Sequence, residues 1–110
     1  MTRPGLISDE QVQAALDWLA DNAEAMGQAV MRARLAERYV GHIEALQSKA
    51  ADGSDARRKE AARTSEAYRN AIYDEAVTAG ELAKLRSLKD RHEALIEAWR
   101  SQSANHRAML

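Results

Sequence analysis

The chain has 110 residues, a formal net charge of −1, a single proline and no cysteine, which suits one folding unit and excludes disulfides and cysteine-based zinc sites. Near-neutrality excludes a strongly acidic DNA mimic and a strongly basic histone-like binder. No apolar run approaches the roughly 20 residues of a membrane span, and Met1 to Gly5 is not followed by a signal-peptide core, so the expected location is the cytoplasm.

Residues 1–7 read as a flexible lead. Ser8-Asp9-Glu10-Gln11 then carries the clearest local signal. The Ser8 hydroxyl suits the free amides of a first turn, and Gln11, three residues on, can return a bond to the Ser8 amide. Ile7 and Val12 fall where a hydrophobic staple needs them, and Asp9 and Glu10 lie at the positive end of the helix dipole. A helix is therefore predicted over residues 8–20, with Val12, Ala15, Leu16 and Leu19 as its apolar stripe.

Asp21-Asn22-Ala23-Glu24 repeats the capping pattern and predicts a second helix over residues 22–50. Its stripe runs through Met26, Ala29, Val30, Ala33, Ala36, Val40, Ile43 and Leu46, while Leu35 and Tyr39 form a narrower second stripe. Gly27 and Gly41 weaken this helix by about 1 kcal/mol each relative to alanine, and they imply either open surface or close packing against a neighbour. Ala51-Asp52-Gly53-Ser54 is the mid-chain turn, with Gly53 suited to a C-cap and Ser54 or Asp52 to the next N-cap.

Beyond the turn, a long helix is predicted over residues 54–103, with an interruption where Thr64-Ser65 can cap a new start. Its stripe is Tyr68, Ile72, Ala76, Ala79, Leu82, Leu85, Leu88, His92, Leu95, Ile96 and Trp99. Residues 104–110 read as a frayed tail. The expected fold is all-α: a short N-terminal helix plus a long antiparallel helical hairpin, coiled-coil-like in its spacing. An alanine-rich seam buries little area, so a hairpin alone is marginal, and a homo-oligomer, dimer or higher, is expected to cover the leftover stripe.

The patterns that carry catalysis do not occur. His92-Glu93 has no second histidine four residues on, so the zinc-protease pattern fails. Glu75, Glu81, Glu93 and Glu97 belong to no Glu-x-x-His pair of the kind a di-metal bundle needs. No phosphate loop or nucleophilic triad order is present, and neither a cofactor nor a metal is expected. His92, on an apolar stripe, suits a core or interface position better than a ligand position.

Two basic stretches suit phosphate contacts: Arg57, Arg58 and Lys59, then Lys84, Arg86, Lys89 and Arg91. Interleaved acids (Asp55, Glu60, Glu81, Asp90, Glu93) give the same stretches the look of an ordinary solvated face. At the C-terminal end Trp99, Arg100 and Arg107, with Gln102 and Asn105 between them, suit base stacking or a protein interface. Trp99 alternatively ends the core stripe.

The C-terminal half resembles a family of small helical phage and prophage proteins. The pattern is Tyr68, Leu85-Arg86-Ser87-Leu88, then Ile96-Glu97-Ala98-Trp99-Arg100-Ser101-Gln102, closing with Ala104 and Arg107-Ala108-Met109. It covers roughly residues 64–109. Family members commonly carry a proline just before the counterpart of Tyr68; this chain has Thr64-Ser65 in that region instead. The resemblance implies a phage context, often near recombination or replication genes, and no catalytic activity. Two functions follow as expectations. One is a non-enzymatic accessory protein of phage recombination or replication that contacts single-stranded DNA or a DNA-bound partner through the ten residues from Arg57 to Arg107 named above. The other is a protein-binding adaptor, with a phage or host protein as partner, or an inhibitor of a host defence or repair enzyme, and a structural phage component is a third reading.

Overall fold

The computed structural model describes residues 6–109. Three helices follow one another, α1 (Asp9–Ala50), α2 (Asp55–Arg63) and α3 (Glu66–Met109), with no strand among the described residues. Ile7 meets Gln102, Asp9 meets Trp99 and Trp18 meets His92. A rising number on one helix thus meets a falling number on the other, and α1 and α3 form an antiparallel hairpin. None of the described helices is long and apolar enough to cross a membrane. The chain divides into two compact units, Met1–Met26 with Lys84–Leu110, and Gly27–Ala83.

The start of α1 follows the capping rule. The Ser8 amide donates to Gln11 Oε1 at 2.8 Å, and the Gln11 amide donates to Ser8 Oγ at 3.2 Å. Two otherwise orphaned donors are satisfied reciprocally. Replacing the hydroxyl in Ser8→Ala should cost about 1 kcal/mol, read as a lower denaturation midpoint with an unchanged helical spectrum; no change would mean the cap contributes nothing. Of the expected flexible lead, residues 1–5 lie outside the described residues, and Ile7 is not free. Its amide donates to Gln102 Oε1 at 2.9 Å, its carbonyl accepts from Gln102 Nε2 at 3.0 Å, and its side chain packs on the core.

Helix boundaries differ from expectation at two further places. α1 passes through Asp21 and Asn22 without a break, so the helices expected over residues 8–20 and 22–50 are one. Asn22 does not cap a new start; its Nδ2 donates back to the Trp18 carbonyl at 2.9 Å, an i−4 bond that leaves the helix intact. The tail expected to fray is helical to Met109. Nothing from Gln102 onward breaks a helix, and His106 and Arg107 in the last turn complement its negative end.

The interruption at Thr64-Ser65 is present and is built from two hydroxyls. Thr64 Oγ1 donates to the Glu60 and Ala61 carbonyls, closing α2. Ser65 Oγ donates to the Ala62 carbonyl at 2.6 Å and accepts from the Tyr68 amide at 3.2 Å, so one side chain ends α2 and starts α3. Before α2, Gly53 has φ +109°, a conformation that side-chain-bearing residues avoid. Ser54 Oγ then accepts from the Arg57 amide at the head of α2.

In the first unit, Val12, Ala15 and Ile96 form the buried cluster, with Ile7, Leu19, Leu95 and Trp99 packed on it. In the second, the buried hydrophobics are Ala29, Ile43, Ala62, Ala71 and Leu82, three of them alanine. Arg63 Nε lies 3.4 Å from Glu44 Oε1, tying α2 to α1 there. The predicted α1 stripe faces inward from Met26 to Ile43, but Leu46 is exposed. The α3 stripe faces inward from Leu82 to Trp99, whereas Ile72, Ala76 and Ala79 are exposed and Ala71, Glu75 and Thr78 take their places. Thr78 fits because its hydroxyl is already spent on the Asp74 and Glu75 carbonyls.

Candidate interaction surfaces

The ten residues expected to meet nucleic acid are divided between the two units. Arg57, Arg58 and Lys59 stand exposed on α2, in the Gly27–Ala83 unit, and the other seven belong to α3 in the other unit. Of those seven, Lys84, Arg86, Arg91 and Arg107 are exposed. Lys89 Nζ is held 2.9 Å from Glu93 Oε1, one helical turn away, and Arg100 Nη1 lies 2.9 Å from Glu97 Oε1. The hydrogen bond to Glu93 raises the Lys89 ammonium above its ordinary value; the charge of Glu93 adds to this, desolvation opposes it, and Asp90 adds least. Exposed pairs of this kind stabilise little, but they do occupy cations otherwise available to a phosphate.

Trp99 is committed to the fold. Its indole packs on the Val12–Ala15–Ile96 cluster and its Nε1 donates to Asp9 Oδ1 at 3.2 Å. Gln102, read from sequence as a group for base edges, uses both ends of its amide on the Ile7 backbone. What remains beside them is an open groove of about 840 Å³ that includes Asp9, Trp99, Gln102, Ser103 and His106. It is a solvated recess with no buried, unpartnered polar atom among the described residues.

His92 packs half-buried against Trp18, ring centroids 4.6 Å apart and planes 27° from parallel. Stacked aromatic pairs are worth about 0.5–1.5 kcal/mol beyond the area they bury, and this one joins α1 to α3. Among the described residues, no three His, Asp or Glu side chains group so as to hold a metal ion.

The feature that sequence reasoning located only in outline is apolar. In the Gly27–Ala83 unit, Met31, Leu35, Tyr39 and Leu46 on α1 are 48–60% exposed, and Ile72, Tyr73 and Val77 on α3 are 40–68% exposed. Isolated exposed apolar residues are ordinary; Leu35, Tyr39 and Leu46 recur at helical spacing on one side of α1 with Val77 on the matching side of α3, an unpartnered face, while Ile72, one residue past the inward Ala71, turns to the other side. Leu35 and Tyr39 were legible as a second stripe. Ile72, Tyr73 and Val77 were not: size ranks Ile72 above Ala71 as a core residue, whereas Ala71 is the buried one and Ile72 is 46% exposed.

No family model matches the chain, and no curated protein and no solved structure matches it either.

Proposed function

We propose that the protein is a non-enzymatic helical binding module that engages protein, and that its place is among phage or prophage accessory proteins. One observation carries the reading: the buried residues of the Gly27–Ala83 unit are mainly alanine, beside Ile43 and Leu82, while seven of its large apolar side chains are 40–68% exposed. Each of those side chains gains about 1.5–3 kcal/mol on full burial, and protein interfaces take such residues at their centres. The phage setting is supported by the sequence resemblance alone. Direct contact with single-stranded DNA is the less supported reading, since Trp99 and Gln102 are engaged within the fold and Lys89 and Arg100 are ion-paired.

A two-armed measurement tests the reading. The tagged full chain, incubated with nuclease-treated bacterial lysate, should retain protein in stoichiometric amount, including untagged copies of itself when these are supplied. The Leu35→Glu/Tyr39→Glu variant should lose it. A labelled single strand titrated at low salt should bind weakly or not at all. Tight binding of the strand that falls steeply with salt, as counterion release requires, combined with no captured protein, would overturn the proposal.

A further inference from the structure

We propose that the partner of the exposed apolar face is a second copy of this chain, the two copies joining through α1 and α3 of the Gly27–Ala83 unit as a two-fold four-helix bundle. The inference rests on the protein-binding reading above and names its partner. Three observations on the unit lead to it: spacing, charge and area.

Spacing comes first. Leu35, Tyr39, His42 and Leu46 follow one another at intervals of four, three and four residues, the rhythm of a coiled-coil seam. This seam is separate from the inward one formed by Ala29, Ala36, Val40 and Ile43. Tyr39 and His42 already lie ring to ring, with centroids 5.8 Å apart. Each helical residue turns the side chain by about 100°. Counting from the inward residues of α1, and from Ala71, Thr78 and Leu82 of the antiparallel α3, Leu35, Tyr39 and Leu46 fall on the same side of the pair as Asp74, Val77 and Glu81. A hairpin with one such side presents both helices at once, and two copies related by a two-fold axis set α1 of each against α3 of the other.

Charge then selects the pairing. Residues 27–43 of α1 carry Arg32, Arg34 and Arg38 against Glu37, whereas residues 66–81 of α3 carry Glu66, Asp74, Glu75 and Glu81 against Arg69. None of these arginines and acids takes part in a salt bridge among the described residues. Pairing α1 with α1 would oppose arginines. Pairing α1 of one copy with α3 of the other opposes Arg32 and Arg38 to Asp74 and Glu81, twice per dimer, which fixes both partner helix and direction.

Exposed apolar area supplies the reason for pairing at all: Met31, Leu35, Tyr39 and Leu46 on α1 and Val77 on α3 are 40–60% exposed, and burying large apolar side chains is worth about 1.5–3 kcal/mol each. A second copy is always present at the concentration of the first and carries the complementary charges by construction.

The test uses the full chain in sedimentation equilibrium, with circular dichroism to verify helicity. Wild type should show the mass of two chains at micromolar concentration. Leu35→Glu/Tyr39→Glu, at positions already in water in the single chain, should keep its helix signal and weaken association at least 100-fold. Arg32→Glu/Arg38→Glu alone and Asp74→Arg/Glu81→Arg alone should each weaken it at least tenfold. Mixed one to one, these two charge variants should recover the two-chain mass, because each α1–α3 contact is again opposite in sign. Wild type that stays a single chain at about 100 μM would overturn the dimer, as would a mixture no tighter than its components. If wild type is a single chain yet Leu35→Glu/Tyr39→Glu still abolishes capture of a different protein, the second-copy inference fails while the protein-binding reading stands.

Discussion

Ile96→Ala should lower stability by about 2–4 kcal/mol, the lower part of the range for large-to-small core changes, and this is the largest single loss expected in the molecule. Ile96 is 9% exposed and closes the cluster of Val12 and Ala15, with Leu19, Leu95 and Trp99 around it. Removing three carbons takes contacts from α1 and α3 together. Neither helix end can collapse into the gap without pulling Trp99 off Asp9 and Gln102 off Ile7. Small domains hold only about 5–15 kcal/mol in total, so the loss is a substantial share. Urea denaturation followed by tryptophan fluorescence checks it, since Trp18 and Trp99 both sit in this unit. Ile72→Ala is the control. At 46% exposure it should cost under about 1 kcal/mol in the single chain. Equal losses at the two positions would mean that the Ile96 cluster is not the anchor of its unit.

The contrast between Ile96 and Ile72 also marks how far the sequence could be read. Composition and the three-to-four spacing of apolar residues were enough for an all-α hairpin, and local chemistry was enough for the Ser8 cap, the Gly53 turn and the Ser65 joint. Each of those depends on residues within four positions of one another, and such information is written in order along the chain. Two kinds of feature were not legible. One is competition between local partners: Asn22 had a capping pattern around it, but its amide found the Trp18 carbonyl and the helix continued. The other is long-range. Gln102 pairs with Ile7 and Trp99 with Asp9 across more than eighty residues, and those contacts turn a nucleobase-like constellation into a clasp for the first turn of α1. The inward row of Ala71, Glu75 and Thr78 belongs to the same class. It depends on how closely another helix approaches, and the α3 sequence does not record that distance.

The proposed binding surface was half legible for a related reason. Leu35 and Tyr39 stand apart from the main α1 stripe in the sequence itself, so a second face on α1 could be inferred. On α3 the apolar residues Ile72 and Val77 were absorbed into a single predicted stripe or left aside, because helical spacing alone does not say which of two adjacent rows points inward. Exposure separates the rows. The same structure removes Trp99 as a free aromatic and pairs Lys89 and Arg100, and this moves the weight of the functional reading from phosphate contacts to protein contacts.

Replacing Gly27, Gly41 and Gly80 together with alanine should stabilise the protein by about 1.5–3 kcal/mol, from roughly 0.5–1 kcal/mol for each helix-interior site. A Cβ built at any of the three meets nothing within 4 Å, so the gain in helix propensity is not offset by crowding, and well-separated sites add. For a chain of this size, 1 kcal/mol moves the thermal midpoint by about 4–8 °C, so a rise on the order of 10 °C is expected. Gly53→Ala should have the opposite sign. Its φ of +109° is strained for any L side chain, and the new Cβ would sit 3.3 Å from Arg57 Cδ; a cost of about 1–2 kcal/mol follows. The comparison also bears on assembly. Gly27, Gly41 and Gly80 lie off the side that carries Leu35, Tyr39 and Val77, so the triple variant should melt higher and still associate as wild type does. A triple variant that gains helix stability but loses its two-chain mass would show that the second copy docks on the glycine side, against backbone that only glycine leaves bare.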